Sequence, residues 1–497
     1  MLATARSFTL DGIAARPVRV EVDVHRGLPA FSIVGLPDTA VREARERVRA
    51  AISNCGFEFP LHRITVNLAP ADLRKAGPAL DLAIAAALLA ASGQLGWEGL
   101  DRRALVGELA LDGTVRRVPG VLAIAEAARS GGLDGVVVPA ANGGEAAVVE
   151  GLGVSPLESL AQLIPLASGE WTPPPPRPLG LTGTGNGAGP DLADLRGQRE
   201  LRRALEVAAA GGHSLLMVGT PGVGKSLAAR RLPSILPPLT SDEALEVARI
   251  ASACGRLDGS LAGGRPFRAP HHTISAAGLV GGGNPPRPGE VTLAHRGVLF
   301  LDELCEFSRD ALEALRAPLE TGSVAISRAA SRQVLPCRFL LVAAANPCPC
   351  GRGERDPDCT CAGPEIRRYR GRLSGALADR IDIVVPVERP GAEEIGGGEG
   401  EPSAQVRERV VAARRLQEAR LDGRCNAEMS AGEARACGLE DSARALLLGA
   451  YERHLLSGRT HDRVLRLART VADLDRRERV GEEHIAAALQ LRLREDR

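Results

Sequence analysis

Apolar and polar positions alternate in short runs over residues 1–167, and the period of these runs changes repeatedly. The segments "VRVEVDV", "RITVNLA" and "GVVVP" are rich in β-branched residues, as strands are. The segments "TAVREARERVRAAISNCG" and "VLAIAEAARSGG" instead have apolar residues every three to four positions, as amphipathic helices do. Because strands and helices alternate along this part of the chain, the pattern predicts an α/β domain.

Two stretches without apolar periodicity divide the remaining chain. Residues 168–190, rich in Pro and Gly, and residues 391–403, with a run of Gly and Glu, both predict linkers. Between them, residues 191–390 return to strand–helix alternation, which predicts a second α/β domain. Residues 404–497 have helical spacing almost throughout and predict a helical domain.

Length and composition agree with this division and exclude some classes of protein. A chain of 497 residues with 44% hydrophobic residues has room for about three globular domains. We see no apolar run of the roughly 18–20 residues that span a bilayer, and the start "MLATARSFTLDG" lacks a signal-peptide core. We therefore expect a soluble, cytoplasmic protein without a membrane partner. A net charge of +1 gives no bulk sign of nucleic-acid binding.

The segment "HSLLMVGTPGVGKSLAARRL" has an apolar strand pattern, a Gly-rich loop and then a helical pattern. Its loop fits G-x-x-x-x-G-K-[ST], in which backbone N–H groups and the helix N-terminus surround phosphates. The lysine of this loop is one of only two lysines, against 60 arginines, which suggests a position where arginine cannot substitute. The predicted nucleotide-binding residues are Gly219, Thr220, Pro221, Gly222, Val223, Gly224, Lys225 and Ser226.

Two further apolar runs end in polar residues suited to ATP hydrolysis. "GVLFLDELCEF" places Asp302 and Glu303 after a buried-strand pattern, and "RFLLVAAANP" ends in Asn346. We expect Ser226 and Asp302 to hold Mg²⁺, Glu303 to polarise the attacking water, and Asn346 to lie beside the γ-phosphate. These motifs predict a parallel sheet with an ATP–Mg²⁺ site at one edge.

The order GKS, DE and N at three strand ends resembles Walker A, Walker B and sensor 1 of the AAA+ ATPases. This resemblance implies a homo-oligomeric ring in which an arginine of one subunit reaches the ATP of the next. "GALADRIDIVVPV" supplies Arg380 as that arginine finger, and "LLSGRTHDRVLRLARTVADL" supplies Arg459 as the sensor 2 residue, with Arg463 as a rival one turn later.

The N-terminal domain resembles the Lon-type protease domain, which has a ribosomal-S5-like α+β fold. The resemblance lies in "LAPADLRKAGPALDLAIAAALLA" and "GELALDGTVRRVPGVLAIAEAARSGG". The positions of the two Lon catalytic groups are occupied by Ala79 and Leu122, which can act neither as nucleophile nor as base. We therefore expect a scaffold or interaction domain and not a peptidase. Lys75 in the same segment is expected at the surface.

The order of the three domains resembles the ComM/YifB family, the magnesium chelatase-like bacterial ATPases. Family-like strings include "GLPAFSIVGLPDTAVREARERVRAAI", "RPFRAPHHTIS", "LRAPLETGSVAISRA" and "NPCPCG". The resemblance implies a hexameric, ATP-driven DNA motor, a branch-migration helicase or translocase acting in recombination or integration of transforming DNA. The alternative is a chelatase-like AAA+ motor that remodels a protein complex without DNA. A non-catalytic protein that binds zinc and nucleotide is disfavoured, because the residues for hydrolysis are complete.

Three segments are candidates for contact with branched or single-stranded DNA. "SVAISRAASRQV" predicts a β-hairpin whose Arg328 and Arg332 could bind phosphates. "EIRRYRGRLSG" carries four arginines around Tyr369, a composition that suits a single-stranded track and equally a solvated helix face. His271 and His272 in "RPFRAPHHTIS" are expected on a loop beside the pore of the ring.

Four of the ten cysteines lie within "NPCPCGRGERDPDCTC" with the spacing C-x-C-x₈-C-x-C. Four thiolates can close a tetrahedral structural Zn²⁺ site. Two disulfides and four unliganded thiols are the other interpretations, although a reducing compartment disfavours disulfides. Zinc is the favoured interpretation. The four candidate ligands are Cys348, Cys350, Cys359 and Cys361.

Overall fold

The structure is a computed structural model. It describes residues 1–180, 189–257, 259–261, 264–283, 286–328, 331–354, 356–372, 375–391, 400–453 and 457–492. At residues 327, 328, 331, 332, 375 and 376 the description covers the backbone alone.

The strands are numbered in chain order. They are β1 (Leu2–Asp11), β2 (Ala14–His25), β3 (Ala30–Val34), β4 (Arg63–Ala69), β5 (Arg103–Leu105), β6 (Glu108–Leu109), β7 (Val115–Arg116), β8 (Gly135–Pro139), β9 (Gly153–Leu157), β10 (Leu215–Val218), β11 (Phe267–Arg268), β12 (Gly281–Gly282), β13 (Arg287–Pro288), β14 (Val298–Leu301), β15 (Ser323–Arg328), β16 (Ser331–Pro336), β17 (Leu340–Ala345) and β18 (Ile383–Pro386).

The helices are identified below by their residues. They are Thr39–Asn54, Asp81–Ala91, Val121–Ser130, Gly143–Ala146, Leu163–Ser168, Arg199–Gly211, Lys225–Ile235, Ser241–Ala253, Ala276–Val280, Glu290–Leu293, Arg309–Ala314, Arg316–Thr321, Gly363–Arg370, Gly375–Ala378, Ser403–Arg420, Ala431–Arg435, Asp441–Glu452, Gly458–Leu474 and Glu482–Gln490.

The chain forms two compact units, and each contains more than one segment of sequence. The N-terminal unit comprises residues 1–180 together with 241–261 and 286–288; the second unit comprises the other described residues. The hydrophobic pattern gives no sign that residues 241–261 leave the ATPase part of the chain. Residues 168–180, predicted as linker, are also held in the N-terminal unit, where the Leu179 N–H donates to Gly144 O at 2.9 Å.

The N-terminal unit is built on a seven-stranded mixed sheet in the order β3-β4-β2-β1-β5-β8-β9. The long strands β1 and β2 pair antiparallel over their whole length, and β5, β8 and β9 continue the sheet in parallel. The apolar helix Asp81–Ala91 is buried along nearly all of its length, because it packs between the sheet and the helix Thr39–Asn54. This element order confirms an α/β unit.

The second unit is built on a five-stranded parallel sheet in the order β11-β14-β17-β10-β18. Strands β14 and β17 are buried at every residue, which explains their continuous apolar runs. The predicted hairpin is formed by β15 and β16, which pair antiparallel. C-terminal helices, among them Ser403–Arg420 and Gly458–Leu474, complete the unit.

These features confirm the predicted fold class of an α/β protein with a parallel-sheet core and a helical C-terminal part. Among the helices in the described part of the chain, none combines the length and the apolar character that spanning a bilayer requires.

Candidate nucleotide-binding site

The three motifs singled out in the sequence lie side by side at one edge of the parallel sheet. Strand β17 pairs with β10 on one side and with β14 on the other. The carboxyl ends of parallel strands meet at the same edge, so the residues that follow these strands are neighbours. Gly219 follows β10, Asp302 follows β14 and Asn346 follows β17.

The loop after β10 has a backbone that its glycines permit. Gly222 and Gly224 have positive φ values of 82° and 97°, which side-chain-bearing residues adopt at a cost. A Cβ on Gly219 would lie 2.2 Å from the carbonyl oxygen of Val387, so this position has no room for a side chain. The Gln198 amide, which no sequence motif marks, donates to Val223 O at 2.7 Å and holds the loop from outside.

Lys225 is buried at the start of the helix Lys225–Ile235. Its Nζ donates to Gly219 O at 2.5 Å, to Thr220 O at 2.9 Å and to Asn346 Oδ1 at 3.1 Å. Burial lowers the pKa of Lys225, and the charges of Asp302 and Glu303 partly offset that effect. Through its hydrogen bond to Asn346, Lys225 joins the Gly-rich loop after β10 directly to the residue that follows β17.

The second motif is joined to the first by Ser226, whose Oγ donates to Asp302 Oδ2 at 2.6 Å. A hydroxyl and a carboxylate that already lie in contact are oxygen donors of the kind Mg²⁺ prefers, so this pair fits the predicted ion. Pro221 and Val223 complete the loop, with Pro221 exposed and Val223 buried.

The Glu303 side chain has a partner, His272, that belongs to none of the three motifs. Its backbone lies in the left-handed region, with φ 52°, and its side chain is half exposed. Its Oε2 is 3.0 Å from Nδ1 of His272, whose ring lies 4.1 Å from that of His271 and edge-on to Phe307. His272 was expected on a loop beside the pore of the ring, whereas the structure places it in contact with Glu303.

The candidate arginine finger belongs to a separate group of basic residues. Arg380 pairs with Glu320, and its pKa is lowered by burial and by the positive charges of Arg316, Arg463 and Arg459. These four arginines therefore lie near one another on the second unit.

Arg459 is largely exposed, and its nearest acidic partner is Asp379, at 3.8 Å. Arg463 is far less exposed and lies 3.5 Å from Asp382. His213 Nδ1 contacts the same carboxylate at 3.2 Å. Asp382 thus links the helix Gly458–Leu474 to the segment that carries Arg380. Of the two sensor 2 candidates, Arg463 is the more buried and has the shorter ion pair.

The four cysteines after Asn346 come together as a cluster. Their sulfur atoms all lie within 4.8 Å of one another, with Cys348 3.3 Å from Cys350 and 3.8 Å from Cys359. A disulfide requires about 2.05 Å, whereas ligands about 2.3 Å from a tetrahedral Zn²⁺ are separated by roughly 3.8 Å. The backbone N–H of Arg352 and the thiol of Cys348 lower the pKa of Cys350 to about 6. The cluster, completed by Cys361, fits a metal ion.

The basic segment that follows differs from its expected form. Tyr369 is buried in the helix Gly363–Arg370, so its ring is not available to stack on a base, and the interpretation of this tyrosine as a stacking residue is wrong. Arg367 and Arg368 are exposed, whereas Arg370 donates to Pro347 O at 3.3 Å. The side chains of Arg328 and Arg332, at the tip of the β15–β16 hairpin, lie outside the described residues.

The N-terminal unit also corrects one expectation. Lys75 is fully buried and donates to the carbonyl oxygen of Pro70, so it is not a surface lysine. Burial lowers its pKa. Ala79 precedes the helix Asp81–Ala91, and Leu122 is buried in the helix Val121–Ser130.

A parallel sheet that carries a Gly-rich loop, an acidic pair and an asparagine at three adjacent strand ends has the arrangement of a P-loop ATPase core of the AAA+ type. Residues 191–395 match the family described as magnesium chelatase, subunit ChlI. Residues 20–142 match subunit ChlI of Mg-chelatase, and residues 400–492 match its C-terminal region.

Full-length relatives narrow the assignment. The chain is 43% identical to YifB of Escherichia coli over 97% of this chain and 95% of YifB. It is 42% identical to the competence protein ComM of Haemophilus influenzae over 99% of this chain and 97% of ComM. An uncharacterized protein of Mycobacterium tuberculosis is 46% identical over 99% of this chain. The chain belongs to the ComM/YifB family of magnesium chelatase-like AAA+ proteins.

Proposed function

We propose that this protein is an ATP-driven DNA motor, a branch-migration helicase or translocase that works as a homo-oligomeric ring. The observation that carries the proposal is the contact of Lys225 with Asn346 and of Ser226 with Asp302, the residue that directly precedes Glu303. The similarity to a protein named for competence favours DNA as the substrate over a protein complex.

In this proposal the site binds ATP with Mg²⁺. Loop N–H groups and Lys225 hold the phosphates, Ser226 and Asp302 hold the ion, and Asn346 senses the γ-phosphate. Glu303 orients and polarises the attacking water. The Mg²⁺ neutralises charge on the phosphates, and the chain supplies the positioning.

The ring is supported by the placement of Arg380 in a basic group away from the loop contacts. An arginine presented on another face can stabilise the γ-phosphoryl group of a neighbouring subunit, as in AAA+ rings. We take the ring to be a hexamer, and we assign Arg459 and Arg463, the two sensor 2 candidates, to the same face as Arg380.

DNA would be bound by the β15–β16 hairpin and by the exposed Arg367 and Arg368, through phosphate contacts that do not read sequence. The four cysteines would hold a structural Zn²⁺ that fixes the loop between Asn346 and the helix Gly363–Arg370. A cytoplasmic location suits both the requirement for ATP and reduced thiols.

The test is ATP turnover with and without forked or single-stranded DNA, with Glu303→Gln as control. We expect DNA to raise the turnover of the wild-type protein, and we expect the variant to bind ATP and stall. Turnover that DNA leaves unchanged would favour the remodelling of a protein complex instead. Normal turnover by the variant would refute the role of Glu303.

A further inference from the structure

One part of the ATPase sequence packs within the N-terminal unit. Residues 241–261 follow the phosphate-loop helix Lys225–Ile235 and precede strand β11 in sequence, yet they belong to the N-terminal unit. The helix Ser241–Ala253 of this segment packs against the helix Val121–Ser130. We call residues 241–261 the inserted segment.

Polar contacts attach the inserted segment at two points. Arg249 donates from Nε and Nη2 to the two carboxylate oxygens of Glu126, at 2.7 and 2.8 Å, and such bidentate pairs are strong and directional. Ser252 Oγ donates to Oε1 of Glu145, a buried carboxylate that also accepts the Leu122 N–H at 3.0 Å.

The inserted segment also contributes to an apolar cluster. Leu122, fully buried, packs with Ala248, Leu257 and Leu261 of the inserted segment. The backbone contributes as well, since the Gly120 N–H donates to Ser252 O at 2.9 Å. The contact therefore combines apolar burial, a bidentate ion pair and a buried hydrogen bond.

Leu122 occupies the position of the second catalytic group in the Lon-like pattern. A lysine ammonium there would enter the cluster formed with the inserted segment, and burying an unpaired charge is costly. An apolar side chain at this position suits the contact, which gives a physical reason for the leucine.

We propose that the N-terminal unit is the anchor of the inserted segment and that this anchor couples the N-terminal unit to the ATPase cycle. Only a few residues separate the phosphate-loop helix from the inserted segment, so a change at the nucleotide has a short covalent path to the anchor. The coupling rests on the proposed function; the anchor itself does not.

The anchor is tested by amide hydrogen exchange of the helix Ser241–Ala253 in the full-length protein. Glu126→Arg and Arg249→Glu should each accelerate exchange about tenfold or more, because each replaces a charge-assisted pair by repulsion. The double variant should restore protection. Asp134→Arg, which breaks the exposed pair of Asp134 with Arg102, is the control and should change nothing.

Leu122→Lys and Leu122→Met form a second matched pair. We expect the lysine to expose the inserted segment and the methionine to leave it protected, since methionine fills a similar volume. Unchanged exchange in both charge-reversal single variants, or a double variant as exposed as the single ones, would overturn the anchor.

The coupling is tested by the ratio of ATP turnover with and without forked DNA. In Glu126→Arg this ratio should fall at least about threefold while basal turnover stays within about twofold, because the nucleotide site is untouched. A variant that exposes the segment yet keeps the wild-type ratio would overturn the coupling. Absence of turnover in the wild-type protein would instead refute the proposed function, and the exchange experiment would still decide the anchor.

Discussion

Lys225 is one of two lysines in a chain with 60 arginines. Its contacts explain why this position holds a lysine and not an arginine. Its Nζ lies among three oxygen acceptors in a buried position, which suits a compact ammonium. The planar guanidinium of arginine is larger and directs its donors in a fixed fork.

We therefore expect Lys225→Arg to reduce ATP turnover by about 100-fold or more, the usual cost of removing one well-placed electrostatic contact. The control is Arg230→Lys, the reverse exchange at an exposed position of the same helix, which should leave turnover within about twofold. Near-normal turnover of Lys225→Arg, measured by phosphate release, would contradict the role of this residue.

His272 contacts Glu303, although no sequence pattern links this histidine to the nucleotide site. Because its Nδ1 lies 3.0 Å from Glu303, we expect His272→Ala to lower kcat about tenfold with little change in KM for ATP, as expected for lost positioning of a group that acts in the transition state. His271→Ala is the matched control, and His272→Asn should recover part of the loss. Equal effects of the two alanine variants would argue against this positioning role.

At the scale of elements, the hydrophobic pattern predicted those strands and helices that the local spacing of apolar residues defines. The strands Arg63–Ala69 and Gly135–Pro139 and the β15–β16 hairpin lie where the sequence places them, because β-branched runs and turn residues define them locally. The three buried strand ends predicted the neighbours of the nucleotide site for the same reason.

What the pattern missed depends on tertiary packing. Lys75 and Tyr369 are buried although each directly follows an arginine in the sequence, since burial is decided by elements remote in the chain. The inserted segment is a similar case. The helix Ser241–Ala253 has the apolar spacing of an ordinary helix, and that spacing does not indicate which unit the helix packs in.

The loop of four cysteines supports a prediction at this scale. We expect the purified protein to contain about one Zn²⁺ per chain, and the variant with all four cysteines changed to serine to contain none, as elemental analysis would measure. Loss of the ion should reduce DNA-stimulated turnover more than basal turnover, because the loop leads from Asn346 to the basic helix. Wild-type protein without metal, prepared with reductant, would contradict the zinc assignment.

At the scale of the whole molecule, the proposed ring predicts how two inactive variants should behave when they are mixed. If Arg380 acts on the ATP of the next subunit, Arg380→Ala and Glu303→Gln chains should each be inactive alone. Mixed in equal amounts, they should regain part of the turnover, because some interfaces then combine an intact Arg380 with an intact Glu303. A mixture that stays inactive although mass photometry shows mixed rings would place Arg380 in the site of its own chain.

In the proposed function, the contacts of the nucleotide site drive movement on DNA. The most direct measurement is branch migration of a labelled four-way junction by the purified protein with ATP and Mg²⁺. We predict ATP-dependent conversion of the junction to product, lost in Glu303→Gln although that variant still binds ATP. Robust ATP hydrolysis with no movement of branched or forked DNA under the same conditions would contradict the claim.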